Sequence, residues 1–261
     1  MKLTIQRFQE GQSRDEVFDI ASLKVTTLLS ALYEIKAKLD PTLTFLAGCR
    51  SGVCGACAVR VNGREKLACS YIPKDGDRIE PLQYHPVLRD LKVDKSKAQE
   101  TLKPILPHLS QRSTLNAQHS VSPEEEAKYR LQTDCILCDS CYSACPVYAV
   151  NPDFLGPFAL TRAWRHLSDT RWQESSTSQI STLNAQRSTL LEKIQKNGIW
   201  DCTLCGECTA VCPQHIDPKG DIMQLRGESL KAGYNDPNFA AQSFGGPDFG
   251  GGFGFDPNGG F

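Results

Sequence analysis

Nowhere in the 261 residues do about 18 apolar side chains run together, so no membrane span is expected. Met1 to Glu10 alternate polar and apolar side chains, with no positive segment leading into an apolar core, so no Sec signal is expected. Net charge is small at −1, which gives no electrostatic reason to expect nucleic acid or an anionic membrane surface as partner. There is no G-x-G-x-x-G fingerprint, no Walker loop and no Ser/His/Asp order, so those nucleotide and hydrolase chemistries lack support. Otherwise the composition is ordinary for a soluble protein, 40% hydrophobic and 23% charged, and the length allows two modest domains.

None of the 12 cysteines stands outside a pattern. Cys49, Cys54 and Cys57 are spaced x4 then x2, and Cys69 follows at a distance. That is the plant-type [2Fe–2S] loop with its remote fourth ligand. Soft thiolates suit iron, and four of them must converge on a small volume. Gly48, Gly52 and Gly55 let the backbone pass close with its N–H groups aimed at sulfur, and Arg50 adds positive charge nearby. The run C-x2-C-x2-C-x3-C-P then occurs twice, as Cys135, Cys138, Cys141, Cys145 with Pro146, and as Cys202, Cys205, Cys208, Cys212 with Pro213. In two-cluster ferredoxins the fourth cysteine of each run ligates the other cluster. Applied here, Cys135, Cys138, Cys141 and Cys212 hold one [4Fe–4S] cluster, and Cys145, Cys202, Cys205 and Cys208 hold a second cubane. The crossing ties segments about 60 residues apart into one core, so cluster binding is also folding energy. Such reduced thiols fit a reducing compartment. Zinc is the competing reading, as a metal-bound structural protein; a glycine-interleaved x4, x2 loop is not a zinc-knuckle spacing.

The fold class expected is an α+β, β-grasp, plant-type-ferredoxin-like domain over residues 1–97. An all-α, bacterial-ferredoxin-like domain follows over 98–232, and a Gly/Phe-rich tail over 233–261. Leu3, Ile5 and Phe8 start a strand, and Val17, Phe18 and Ile20 mark its antiparallel neighbour. Thr26 or Thr27 caps a helix carrying Leu28, Leu29, Leu32, Ile35 and Leu39, which Asp40-Pro41 ends. Asn62-Gly63 is a two-residue hairpin turn between Ala58–Val61 and Arg64–Cys69, and Arg78 to Leu82 supplies a last strand. After Ala98 the strand signals disappear. Ser122-Pro123 and three glutamates start one helix, and Gly156–Thr170, Leu183–Lys196 and Pro218–Lys231 read as others. The hexapeptide STLNAQ at Ser113–Gln118 recurs at Ser181–Gln186 with no metal ligand or phosphate-binding glycine, and reads as a neutral duplication on helix surfaces. The tail from Ser243 to Phe261 cannot bury enough surface to fold alone. It is expected to be flexible; docking of its phenylalanines on a partner is the alternative.

A [2Fe–2S] loop followed by two ferredoxin runs resembles the iron–sulfur subunit of the succinate dehydrogenase/fumarate reductase family. The matching stretches are CRSGVCGAC from Cys49, CPVYAVNP from Cys145, Gly156-Pro157, NGIWDC from Asn197 and CPQHIDP from Cys212. The resemblance implies an electron-transfer subunit that binds neither dicarboxylate nor flavin. It would relay single electrons between a flavoprotein with covalently bound FAD and a quinone-reactive membrane anchor. It also implies a peripheral position at the inner or cytoplasmic membrane, on the cytoplasmic side unless a signal-bearing partner carries the chain to the periplasmic side. Most family members lack a cysteine at the position of Cys205 and hold a [3Fe–4S] cluster there. Cys205 restores a full quartet, so a second [4Fe–4S] cluster is expected, with Cys205 as bystander to a three-iron cluster the alternative. Val150 and Thr203 stand where ubiquinone-reducing members carry Trp and His, which resembles menaquinone-linked fumarate reductases. With Cys205, this further resembles the methylmenaquinol:fumarate reductases, whose membrane partner is cysteine-rich rather than a haem-bearing helical anchor. The reading therefore leans to quinol-dependent fumarate reduction; a subunit serving a thiol- or glycolate-linked flavoprotein is the alternative.

Among the histidines, His215 lies near Cys212 and resembles a family residue that tunes a cluster by hydrogen bonding. His85, before Pro86, is expected to make a structural turn contact. His108, His119 and His166 are expected at the surface. Trp200 is expected to pack between clusters and helices.

Overall fold

The computed structural model describes residues 1–105, 121–169 and 180–240. The first STLNAQ copy, His108, His119 and the tail from Ser243 lie outside the described residues, and only the backbone of the second copy is described.

The N-terminal part is sheet-rich. Strands β1 (Lys2–Gln9) and β2 (Gln12–Asp19) form an antiparallel hairpin with Leu3 opposite Phe18. Helix α1 (Leu28–Lys38) follows. Strands β3 (Ala58–Val61) and β4 (Arg64–Leu67) make the second hairpin, and β5 (Arg78–Glu80) enters between the two, parallel to β1 and antiparallel to β3. The sheet order is β2-β1-β5-β3-β4. The Asn62-Gly63 turn has positive φ at both residues, 50° and 79°, as a two-residue hairpin of the primed type needs. Thr27, not Thr26, caps α1: its hydroxyl accepts from Ser30 N while Ser30 Oγ accepts from Thr27 N. The apolar face of α1, Leu28, Leu29, Ala31, Leu32 and Ile35, buries against Leu3, Ile5, Val59 and Ile79 of the sheet.

A third hairpin, β6 (Val87–Arg89) and β7 (Lys92–Val93), was not legible from alternation because both strands are too short. A buried charge cluster holds it to the sheet. Asp90, fully buried in its turn, accepts from Arg7 Nε at 3.0 Å and from the backbone N–H groups of Phe8 and Thr44. Arg7, 1% exposed, also pairs with Glu16 and Asp40.

The rest is helical among the described residues. Short helices α2 (Ser96–Glu100), α3 (Pro123–Ala127), α4 (Arg130–Thr133), α5 (Ser140–Ser143) and α6 (Pro146–Val150) precede the longer α7 (Pro157–Leu167) and α8 (Ile180–Lys193). After α8 the chain leaves helical geometry at Lys196 and Asn197 in a turn over Gln195–Ile199, earlier than the uninterrupted pattern to Lys196 suggested. Helices α9 (Glu207–Ala210), α10 (Pro218–Lys231) and α11 (Pro237–Ala240) complete it. The Ser122 start is a full capping box with Glu125, but α3 is only five residues long. A second core gathers Tyr142, Phe154, Phe158, Leu160, Ile199 and Leu225. Gly156 has φ +85°, and a Cβ there would enter the Tyr142 ring, so only glycine lets α7 begin at this point. His166 is buried in α7 rather than at the surface, because its position on the helix turns it to the core side with Ala163 and Leu167.

Arg7→Leu should lower stability by about 3–5 kcal/mol, since it leaves the Asp90 carboxylate buried and unpaired. A denaturant midpoint that shifts at constant slope would read this; an unshifted midpoint would refute it.

Candidate iron–sulfur sites

In the first quartet Cys69 follows β4, and the other three ligands, Cys49, Cys54 and Cys57, sit on the loop between α1 and β3. Arg50, Gly52 and Gly55 take positive φ there, which folds the backbone around sulfur. The N–H groups of Ser51 and Val53 donate to Cys49 Sγ at 3.4 Å, and Cys49 N donates to Cys54 Sγ at 3.3 Å. These hydrogen bonds, that from Ser51 foremost, lower the Cys49 thiol to about 6. A Cβ on Gly48 would lie 2.9 Å from Cys54 Sγ, so the close approach requires glycine. The N-terminus of α1 places the fourth ligand: Leu28 N and Leu29 N donate to the carbonyls of Tyr71 and Ala68, on either side of Cys69. Cys57 faces both Cys69 and Cys54, and burial pushes its thiol up to about 11. Arg50 is exposed, and its guanidinium lies 5.0 Å from the centre of the Tyr33 ring.

The two later runs share one backbone design. Leu137 and Leu204 have φ of 51° and 55°, and Asp139 and Gly206 have φ of 67° and 83°. Each pair occupies the same place after the first cysteine of its run, and α5 and α9 then start at matched positions. The fold exchanges the fourth cysteines. One cavity is lined by Cys135, Cys138, Cys141 and Cys212. Another is lined by Cys145, Cys202, Cys205 and Cys208. Among the described residues no three His, Cys, Asp or Glu side chains are placed to hold a single metal ion; the thiols instead ring cavities, as a multinuclear cluster requires. The donor chemistry fits iron–sulfur clusters at all three quartets. Burial raises the thiols of Cys135, Cys138, Cys145 and Cys202, lifts Cys208 to about 12 and carries Cys141 well above the ordinary range.

The three sites stand in a row. At the first junction, a Cβ on Gly55 would fall 2.7 Å from Cys138 Cβ, so the first loop lies directly on the second quartet. At the second junction, Cys141 and Cys208 are near enough for the charge on one to raise the proton affinity of the other. Cys49 and Cys54 are exposed at one end and Cys205 at the other, while no cysteine of the middle quartet is exposed. Gln214 Nε2 crosses to Gly52 O of the first loop at 3.0 Å, and Arg64 at the start of β4 pairs with Glu207, so the later runs are also tied to the N-terminal part.

The structure sorts the remaining expected residues. His215 is exposed with φ 58°, its backbone N–H donating to Cys212 O; no described hydrogen bond joins its side chain to a cysteine. His85 is buried 6.2 Å from the Tyr148 ring centre, and neither ring nitrogen has a hydrogen-bond partner; burial lowers it to about 4. Trp200 packs as expected and donates to Gln195 Oε1 at 2.7 Å. Spacing could not reveal the cations that anchor the runs: Arg162 donates to Cys135 O at 3.2 Å, and Arg226 to Cys202 O at 2.7 Å.

Residues 2–100 match the family model for a 2Fe-2S iron-sulfur cluster binding domain, and residues 132–216 match that for a 4Fe-4S dicluster domain. The 8-methylmenaquinol:fumarate reductase iron-sulfur subunit of Wolinella succinogenes is 37% identical, over 90% of this chain and 74% of that one. The fumarate reductase iron-sulfur subunit of Haemophilus influenzae is 39% identical, over 79% of this chain and 82% of that one. This chain belongs to the fumarate reductase/succinate dehydrogenase iron–sulfur subunit family. A chain of the Mycobacterium smegmatis Sdh1 complex shares its fold, with a TM-score of 0.69 over 90% of this chain and 97% of that one, at 22% identity. As a member, the chain is the electron-transfer subunit of an oxidoreductase complex, and its two domain types carry 2Fe–2S and 4Fe–4S clusters.

Two outcomes follow from the geometry. Gly55→Ala should cost at least about 2 kcal/mol more than Gly76→Ala, because both have positive φ but, of the two, Gly55 alone has a crowded neighbour. Thermal unfolding of both variants checks this, and equal losses would count against it. Loading iron removes protons from thiols such as Cys57 and Cys208, so cluster retention should fall as pH is lowered. Cys49, already near 6, contributes to that dependence only in the acid range below it. Visible absorbance followed across pH reads the effect; retention that rises on acidification would overturn it.

Proposed function

We propose that this chain relays single electrons between a FAD-containing flavoprotein subunit and a quinone-reactive membrane anchor, in the direction of quinol-dependent fumarate reduction. The observation that carries the relay is the row of three quartets with exposed cysteines only at its two ends. Cys49, Cys54, Cys57 and Cys69 would hold the [2Fe–2S] cluster. Cys135, Cys138, Cys141 and Cys212 would hold the first [4Fe–4S] cluster, and Cys145, Cys202, Cys205 and Cys208 the second. Bound clusters supply one-electron redox chemistry whose potential is set by hydrogen bonds, charge and exposure. The chain itself spaces the quartets, aims N–H groups at sulfur and leaves no fully exposed cysteine at the middle site. Dicarboxylate chemistry belongs to the partner's flavin.

Cys205 supports the full third quartet, since it lines the same cavity as Cys145, Cys202 and Cys208. Val150, 83% exposed, and Thr203, which lines the third cavity, support a menaquinol-type end. Among the described residues no helix is long and apolar enough to cross a membrane, consistent with a peripheral subunit on a separate anchor. We place it on the cytoplasmic face. The anchor would be of the cysteine-rich kind. The N-terminal sheet crossed by α1 supports a β-grasp domain, and the paired runs a bacterial-ferredoxin-like one. A division at 97/98 is supported by Val93 belonging to the first core and Ala98 to the second. Arg50 would tune the first cluster by charge, and His215 would act on the second through its backbone N–H on Cys212 O.

In the purified, oxidised complex, the third cluster should give no three-iron EPR signal, and Cys205→Ser should create one. A three-iron signal before mutation would sink the quartet. For the function as a whole, the isolated complex should reduce fumarate with a menaquinol analogue, and Cys208→Ser should reduce that rate at least tenfold while flavin content is unchanged. Undiminished quinol-driven turnover in that variant would refute the relay.

A further inference from the structure

Lys95 follows the last strand, β7, and reaches the junction between the first two sites. Its Nζ donates to Cys138 O at 2.7 Å and to Gly55 O at 3.5 Å. One carbonyl belongs to the loop of the first quartet and the other to a ligand of the second. The loops already touch at Gly55 and Cys138, so the ammonium caps their contact. Lys95 makes no ion pair among the described residues. Asp94, beside it in sequence, spends one oxygen on Ser96 N and Oγ. Asp139, buried with neither carboxylate oxygen hydrogen-bonded, feels the Lys95 charge across the junction, as do His85 and the Cys138 thiol. Among the described residues the ammonium has no ion-pair partner and only Asp139 as a buried acidic counterpart, and it lies half-buried between two sites that each gain one negative charge on reduction.

We infer that Lys95 is a positioning and charge-setting residue for the first two clusters, holding their loops together and favouring the reduced form of both over that of the third. The third site has its own cation, Arg226 on Cys202 O, and lies beyond the middle quartet. Arg162 on Cys135 O acts on the middle site, so of the carbonyl-bound cations among the described residues Lys95 is the one that bridges two sites. Burial makes this coupling stronger than at a solvated surface, where salt would screen it. The inference rests on the ligand assignment above.

The test is an EPR-monitored redox titration of the intact complex, comparing wild type with Lys95→Met and Lys95→Gln. Both variants keep an unbranched side-chain stem, one atom shorter than that of lysine, and remove the charge. The reduction equilibria of the [2Fe–2S] and first [4Fe–4S] clusters should each shift toward the oxidised form by about tenfold, or ~59 mV for a one-electron couple. The third should not move, and Lys95→Arg should restore the first two. Unmoved potentials in a variant that keeps all its clusters, or an equal shift of all three, would overturn the inference. So would loss of clusters in both neutral variants together with failure of Lys95→Arg to restore them, since a strap without an electrostatic role predicts that. Absence of the three cluster signals from the wild type would instead refute the ligand assignment, which separates the two failures.

Discussion

The exchange of fourth cysteines is the constraint on which the helical half depends. Cys145 leaves its own run to join Cys202, Cys205 and Cys208, and Cys212 joins Cys135, Cys138 and Cys141. Neither quartet is complete until both runs have met. Helices α3 to α6 and α9 are four or five residues long, well below the length at which a helix persists alone in water. Their stability comes from packing against α7 and α10 and from the thiols they bring together. Metal binding and folding are then one event, as in small metallodomains.

Burial and exposure divide the labour along the row. The middle quartet has no exposed cysteine, and burial raises the thiols of Cys135, Cys138 and Cys141, so forming their anions there costs more than in water. The end sites are open at Cys49, Cys54 and Cys205, where a partner protein can approach. The same division explains where glycine is required. Gly48 and Gly55 stand against sulfur and a neighbouring loop, whereas Gly76 meets nothing. Asp139 takes the left-handed conformation that the matched position gives to Gly206, and the surrounding structure absorbs the strain of a side chain there.

Much of this was legible because iron–sulfur ligation is written locally. Spacing grouped the two later cysteine runs into the sets that line the two cavities, the Asn62-Gly63 turn named a hairpin, and Pro218 to Lys231 had both its ends marked. The β6–β7 hairpin was not legible, because its strands are too short to show alternation and its support is the distant Arg7–Asp90 pair. Nor was the burial of His166, since one polar residue on an amphipathic helix does not announce which neighbour covers it. The carbonyl-bound cations Lys95, Arg162 and Arg226 were invisible for the same reason: each reaches a cysteine far away in the chain.

By itself, then, the sequence determined the family, the cluster types and the cysteine runs proposed to hold them. Thiolate chemistry and loop spacing act over a few residues, and a short window of chain records them. Only the tertiary structure decided that the quartets lie in a row, that exposed cysteines stand only at its ends, and that one ammonium spans two loops. Those properties are distances and exposures between segments remote in sequence, and no local pattern encodes them.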